Sequence, residues 1–163
     1  MQNPAARKFK NLYVFDHPLI QDKLSRIRQT ETKAGELRAY LTEISLLMGF
    51  EVTRDFALEN RHIESPLTSM EAPFLKNTQT TIVPILRAGL GMVEGFLQLM
   101  PMARVGHLGL YRDPKTHRPV EYLNRLPKAE GQVFILLDPM VATGYSAAFS
   151  VDLLIKHGVK KED

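Results

Sequence analysis

Apolar residues at helical spacing dominate the first sixty positions of the chain. The run Leu12–Phe15 predicts a short strand that closes before Pro18. A short amphipathic helix is expected next, from the apolar residues at positions 19, 24 and 27. A long helix is predicted from roughly Lys33 to Leu58, where apolar residues recur every three or four positions: Leu37, Leu41, Ile44, Met48, Val52 and Phe56.

From residue 80 onward the pattern changes to short apolar runs separated by helical stripes. Thr81–Leu86 and Gln132–Leu137 are uninterrupted, which predicts strands covered on both faces. Val105–Tyr111 predicts a third strand. A helix is expected after each of the two buried strands, and Gly158 is expected to end the second helix.

Prolines limit the secondary structure that can form in three segments. Arg61–Asn77 is polar and contains two prolines, which favours short strands or loops. Arg112–Pro127 contains three prolines and predicts an extended hairpin, called the arm below. Pro84 lies inside a predicted buried strand, and its missing N–H argues against a central position in the sheet, unless the sheet tolerates the missing donor there.

The alternation of buried strands and helices indicates an α/β fold with a parallel sheet flanked by helices. The length of 163 residues fits one domain. We expect residues 1–60 to form its N-terminal helical part and residues 80–163 to form its core, with the arm at 112–127.

Composition narrows the class of protein. Hydrophobic residues make up 44% of the chain and charged residues 24%, and the net charge of +3 suits an anionic ligand without requiring nucleic acid. No apolar run reaches the about 20 residues of a membrane helix, and no signal peptide is apparent, so a cytoplasmic protein is expected. The absence of cysteine excludes thiolate catalysis, and the five histidines lack metal-ligand spacing.

The segment with the most chemical information follows the last buried strand, where a carboxylate opens a loop of small and polar residues: Asp138, Pro139, Met140, Val141, Ala142, Thr143, Gly144, Tyr145 and Ser146. Backbone N–H groups of such a loop can converge on one phosphate, and Thr143 and Ser146 add hydroxyl donors. Asp138 can accept hydrogen bonds from ribose hydroxyls. The pattern fits equally well a plain turn from strand to helix with Ser146 as the N-cap.

Two arginines are further candidates for binding an anion. Arg87 ends a buried strand and precedes Gly89 and Gly91, where the backbone can approach a ligand closely. A guanidinium is suited to phosphate oxygens, although an arginine at a strand end can equally form a surface ion pair. Arg112 is similar, and there a single exposed arginine in a loop is the more common explanation. Neither the Walker A motif nor the dinucleotide-binding glycine motif occurs in the chain.

Three segments, in this order, resemble the uracil phosphoribosyltransferase family: Val83–Met92, Gly109–Asp113 and Leu137–Gly144. Weaker similarity begins at Asp16–Gln21 and includes Glu51–Asp55, so the resemblance covers nearly the whole chain. It implies a type I phosphoribosyltransferase fold. It also implies a reaction of pyrimidine salvage, in which uracil and phosphoribosyl pyrophosphate give UMP and pyrophosphate.

The resemblance also implies roles for the candidate residues. Loop 138–146 would hold the ribose and 5′-phosphate of the donor, and Arg87 and Arg112 would hold its pyrophosphate. The loop at Arg87 and Ala88 is similar to the family's pyrophosphate loop, where a non-proline cis peptide sometimes occurs, and residues 112–127 would be a mobile arm. Mg²⁺, activation by GTP and a homodimer or larger homo-oligomer are implied as well, without nucleic acid or membrane partners. No nucleophile or general base is assigned.

The chain departs from the family pattern at two places. Tyr145 stands where the family usually has a second glycine, and a positive φ there would strain a tyrosine. The chain ends at Lys160–Asp163 without a match to the glycine-rich segment that binds uracil in the family. We therefore expect an incomplete C-terminal side that keeps donor binding but not uracil recognition, and turnover by these residues alone is left open.

A second class of function is a non-catalytic relative that senses phosphoribosyl pyrophosphate or regulates pyrimidine genes by binding RNA. Such a protein should carry a concentrated basic face. In this chain the 21 cationic residues are scattered among 18 acidic ones, which favours the enzyme.

Overall fold

A computed structural model describes residues 11–76, 79–116 and 118–160. Parts of the predicted segments 61–77 and 112–127, namely Asn77 and His117, lie outside the described residues, as do positions 1–10, 78 and 161–163. The elements in chain order are α1 (Pro18–Ile27), α2 (Ala34–Val52), β1 (Leu58–Glu64), β2 (Ser69–Leu75), β3 (Gln79–Leu86), α3 (Leu90–Leu99), β4 (Arg104–Val105), β5 (His107–Arg112), β6 (Pro119–Arg125), β7 (Gln132–Leu137) and α4 (Tyr145–His157).

The main sheet has β3 at its centre, with β7 on one side and β4 and β5 on the other. These strands are parallel, and β6 adds an antiparallel strand beside β5. The α/β fold class is therefore confirmed, with one antiparallel strand from the arm at the edge of the parallel sheet. The hairpin predicted at 112–127 contains only the turn and its second strand, β6, because the first strand of the hairpin is β5, which was predicted as a separate strand.

Pro84 lies in the central strand, β3, so the argument from its missing N–H against a central position is wrong and the alternative, that the sheet tolerates the missing donor there, is correct. The pairs Ile82–Val105 and Ile85–Leu108 share one register, which puts Pro84 beside the break between β4 and β5. At that break the N–H of Gly106 donates to the carbonyl oxygen of Ile82 at 2.9 Å. The ladder is already interrupted there, so the sheet accommodates a residue without an N–H donor.

Two predictions in the N-terminal part are also wrong. The run Leu12–Phe15 forms no strand, because no strand among the described residues pairs with it, and Tyr13 is 76% exposed. Helix α2 ends at Val52 rather than near Leu58, and Thr53 caps it by donating from its hydroxyl to the carbonyl oxygen of Gly49 at 2.9 Å. The chain then turns into β1, which pairs with β2 as a two-stranded hairpin, in agreement with the short strands predicted for this region.

The core forms on both faces of the sheet because successive residues of β3 point to opposite sides. On one face Val83 packs with residues of α4, and on the other Ile82 packs with residues of α3. Helix α2 covers α3 and contacts it closely at Gly95, where a β-carbon would lie 2.7 Å from the amide nitrogen of Leu46. No helix among the described residues has both the length and the apolar character needed to cross a membrane.

Candidate functional site

The candidate residues meet at one edge of the main sheet. Parallel strands end at the same edge, and β3, β5 and β7 end there at Leu86, Arg112 and Leu137. Arg87 and Asp138 follow β3 and β7 directly. The register pairs Pro84 with Leu137, so Asp138 follows β7 at the level of Ile85, two residues before Arg87.

A cleft of about 200 Å³ opens at this edge and contains most of the predicted site residues. Those that line it are Arg87, Arg112, Asp138, Met140, Val141, Ala142, Gly144 and Ser146. Thr143 and Tyr145 line a neighbouring cavity instead, and Pro139 lines neither space. Arg112 lines both, so it stands between them.

The turn after β3 brings Arg87 against the end of β7. Its peptide bond between Leu86 and Arg87 is cis. Two residues later Gly89 lies so close to the strands that a β-carbon would stand 2.5 Å from the carbonyl oxygen of Leu137 and 2.7 Å from the amide nitrogen of Ile85. Only glycine permits this approach, which fixes the turn next to the loop that begins at Asp138.

Gly144 determines how loop 138–146 enters α4. It is the N-cap residue with a φ of +79°, and the helix begins at Tyr145, so the interpretation of Ser146 as the N-cap is wrong. Gly144 offers no side chain to cap the first N–H groups of the helix, which leaves them available to an anion. Because Gly144 takes the positive φ and Tyr145 is helical, the departure from the family at position 145 causes no backbone strain.

The charge balance of the cleft favours an anion with hydroxyl groups beside it. Arg87 and Arg112 supply two positive charges, and Asp138 is the single acid among the lining residues. The amide of Met140 donates to Oδ1 of Asp138 at 3.4 Å, which orients the carboxylate within its own loop. Neither guanidinium forms an ion pair with another described residue, so both can take an external partner.

The arm is held by a turn that begins at Asp113. Its carboxylate accepts hydrogen bonds from the amides of Lys115 and Thr116, at 2.9 and 2.7 Å, and from the hydroxyl of Thr116 at 3.0 Å. These bonds, the amide of Thr116 first among them, lower the pKa of Asp113 below its ordinary value. The turn places Thr116 and Arg118 on the cavity beside the cleft, a position that no pattern in the sequence predicts. The Asp-Pro-x-Thr order was the available signal for the turn.

Among the described residues, a metal ion can be held only together with a bound ligand that supplies further oxygen atoms. No group of three or more histidine, aspartate or glutamate side chains among them is placed to hold a metal ion. Mg²⁺ is commonly held by one or two carboxylates together with phosphate oxygens of a substrate. Asp138 can supply one such carboxylate.

Comparisons with known proteins agree on one family. The family model described as uracil phosphoribosyltransferase matches residues 14–163. The uracil phosphoribosyltransferase of Paraburkholderia phymatum is 52% identical over 156 residues, which are 96% of this chain and 72% of the relative. The protein of the same name from Ralstonia pickettii matches to the same extent.

Two solved structures are similar to the fold described above. The AQ2163 protein from Aquifex aeolicus superposes with a TM-score of 0.84 at 35% identity, over 90% of this chain and 71% of that one. A hypoxanthine-guanine phosphoribosyltransferase from Bacillus anthracis superposes with a TM-score of 0.52 at 11% identity, over 74% of this chain and 60% of that one, which is a likeness of fold alone. With the family match over nearly its whole length, the chain belongs to the uracil phosphoribosyltransferase family.

Proposed function

We propose that this protein acts in the transfer of a 5-phosphoribosyl group from phosphoribosyl pyrophosphate to uracil, which gives UMP and pyrophosphate. Family membership supports the reaction. The observation that carries the proposal is the cleft in which Arg87, Arg112 and most of loop 138–146 come together. A donor with two anionic ends and a ribose between them matches this combination of arginines, carboxylate and uncapped helix start.

Loop 138–146 is proposed to hold the phosphoribosyl half of the donor. The first N–H groups of α4 lack side-chain partners and can donate to the 5′-phosphate, together with the hydroxyl of Ser146. The carboxylate of Asp138 can accept hydrogen bonds from the ribose hydroxyls. The ribose would thereby be fixed with its anomeric carbon toward the arginines.

Arg87 and Arg112 are proposed to stabilise the leaving group. The bond between the anomeric carbon and the pyrophosphate oxygen breaks through an oxocarbenium-like state, in which negative charge accumulates on the pyrophosphate. Guanidinium groups already placed in the cleft can take up this charge without reorganising during the reaction. Mg²⁺ bound with the donor, next to Asp138, would supply further charge neutralisation when present.

Other properties of the family extend this proposal. We propose that the protein is cytoplasmic, uses Mg²⁺ with the donor, is activated by GTP and forms homodimers or larger homo-oligomers. Self-association is supported by large apolar side chains that the described structure leaves exposed: Tyr13, Leu19, Phe50, Leu58, Leu67 and Leu75. No observation favours the alternative of a regulator that binds RNA.

Calorimetric titration with phosphoribosyl pyrophosphate and Mg²⁺ tests the donor site. We expect Arg87→Ala to raise the Kd by about 10- to 100-fold, because a charged hydrogen-bond partner is lost. Arg28→Ala is the matched control, since Arg28 is exposed at the end of α1 and does not line the cleft. Equal affinity in the wild type and Arg87→Ala would contradict the donor site.

The acceptor is tested by incubating the protein and donor with uracil, cytosine or hypoxanthine in turn. Transfer to uracil but not to the other bases supports the proposed reaction. Transfer to hypoxanthine or cytosine would contradict it, even if the donor binds as expected. Donor binding without transfer to any base would support only the donor half of the proposal, in line with the expectation that these residues do not recognise uracil.

A further inference from the structure

A second cavity, of about 610 Å³, lies between the arm and α4. We call it the arm cavity. Its arm side includes Arg112, Thr116 and Arg118, and its other side includes Tyr145 and Phe149 of α4. Because Arg112 also lines the cleft, the two spaces are neighbours that share one wall. The volume falls in the range of about 300–1,000 Å³ that is typical of small-molecule sites.

The charge of the arm cavity favours an anionic ligand. Arg112 and Arg118 are both exposed, and the guanidinium of neither is paired with another described residue. Asp152 is the one acid that lines the cavity, so the two arginines outnumber it. A bound phosphate group would relieve the repulsion between the two like charges on one hairpin.

The wall formed by α4 favours a flat apolar group. Tyr145 and Phe149 are four residues apart on a helix, which puts their rings on the same side. Tyr145 is 66% exposed, so its ring is open to stacking. The hydroxyl of Thr143, at the mouth of the same wall, is a hydrogen-bond donor and acceptor for a sugar or a base.

The arm wall is organised before any ligand arrives. The carboxylate of Asp113 holds the turn through the amides of Lys115 and Thr116, and the amide of Asp113 donates to the carbonyl oxygen of Arg118 at 2.9 Å. These hydrogen bonds reduce the cost of ordering the backbone of the turn on binding, while the exposed side chains of Arg112 and Arg118 still lose rotamer freedom.

We propose that the arm cavity is a second ligand site, which binds a nucleoside phosphate with its phosphate between Arg112 and Arg118 and its base on Tyr145 and Phe149. The site lies beside the donor cleft, shares Arg112 with it and includes two residues of loop 138–146, Thr143 and Tyr145. One guanidinium cannot serve two anions fully, so occupancy of the arm cavity weakens anion binding in the cleft, and the reverse holds by linkage. Only this coupling rests on the proposed function, because binding in the arm cavity does not require a donor.

The binding itself is tested by calorimetric titration of the 163-residue chain with AMP. We expect a site that persists in Arg87→Ala and is weakened at least about 10-fold in Arg118→Ala, through loss of a charged hydrogen bond. Arg118→Lys should recover part of the affinity, and Arg125→Ala, an exposed arginine of β6 outside the cavity, should bind as the wild type. The site would be ruled out if Arg118→Ala bound AMP as tightly as the wild type does. It would also be ruled out if Arg87→Ala no longer bound AMP.

The coupling is tested with inorganic pyrophosphate as the probe of the cleft. At an AMP concentration that fills the site of the wild type but not that of Arg118→Ala, the Kd of pyrophosphate should rise by about fivefold or more in the wild type and much less in Arg118→Ala. Equal effects of AMP in the two proteins would overturn the shared role of Arg112. If pyrophosphate fails to bind while AMP binds through Arg118, the proposed donor site is wrong and the arm cavity stands.

Discussion

At position 89 the two buried strands leave room for a hydrogen atom and nothing larger. A β-carbon there would lie 2.5 Å from the carbonyl oxygen of Leu137 and 2.9 Å from that of Ile85, and both are strand backbone that cannot move aside cheaply. The glycine has an ordinary helical φ of −59°, so it is needed because the turn packs closely against the strands and not because its conformation is unusual. Arg87 and loop 138–146 are neighbours because this residue is small.

We expect Gly89→Ala to lower the free energy of unfolding by about 1–3 kcal/mol, the usual effect of inserting a methyl group into a packed region. Donor affinity should fall as well, since the turn that carries Arg87 must shift. Gly35→Ala is the control: no atom lies within 4 Å of its β-carbon position on α2, and alanine favours the helix. Urea denaturation followed by circular dichroism measures both variants, and a Gly89→Ala protein as stable as the wild type would refute the packing argument.

The arm illustrates how one carboxylate can hold a hairpin turn. Asp113 accepts three hydrogen bonds from Lys115 and Thr116, and these lower its pKa below the ordinary value of 3.8. Since the folded pKa is depressed, the turn is fully stabilised above the ordinary value, and this stability is lost as the pH falls through the lowered pKa. The pH range in which the turn loses this stability is therefore acidic, and the turn stays intact at neutral pH.

We expect Asp113→Ala to release the turn at every pH, because all three acceptor contacts are lost. Hydrogen exchange at the amides of Lys115 and Thr116 should become faster, and the acid-induced loosening seen in the wild type should disappear. Asp55→Ala, at an exposed acid between α2 and β1, should change neither. Unchanged protection of the Thr116 amide in Asp113→Ala would show that the turn is held by other contacts.

The elements that sequence predicted well are those whose pattern depends on burial alone. Gln132–Leu137 is a strand with the predicted bounds, and β3 is buried as its apolar run requires. Elements that need a neighbouring strand could not be predicted. Leu12–Phe15 has strand-like residues, but no strand of the described part of the chain lies beside it. Pro84 was misplaced because only the register shows that the adjacent strand is broken there.

The candidate site was predictable as a set of residues but not as a geometry. Arg87, Arg112 and Asp138 stand out because each follows or ends a strand, and parallel strands bring such positions together. The arm cavity depends on how a hairpin packs against a helix, and the hydrophobic periodicity of the sequence does not indicate that packing. In the sequence, therefore, nothing distinguishes Arg118 from the other arginines, whereas in the structure it lines the same cavity as Tyr145.

For the molecule as a whole, the cleft sits where the winding of the sheet reverses. After β3 the chain passes through α3 on one face and continues with β4 on one side, whereas β7 lies on the other side and is followed by α4 on the opposite face. The two connections diverge from the carboxyl ends of β3 and β7, which leaves a crevice between them. Open α/β sheets bind ligands at such switch points.

A ligand that binds at this switch point contacts elements from both faces of the sheet, so it should stabilise the whole molecule. With phosphoribosyl pyrophosphate and Mg²⁺ at 100 times the Kd, linkage predicts about 2.7 kcal/mol of added stability. For a chain of this size that corresponds to a rise in Tm of roughly 5–10 °C. Scanning calorimetry should show this rise in the wild type and in Arg28→Ala, and much less of it in Arg87→Ala at the same donor concentration. A Tm that the donor does not raise in the wild type would mean that the donor does not bind the folded chain in preference to the unfolded one, and a rise of equal size in Arg87→Ala would place its binding elsewhere.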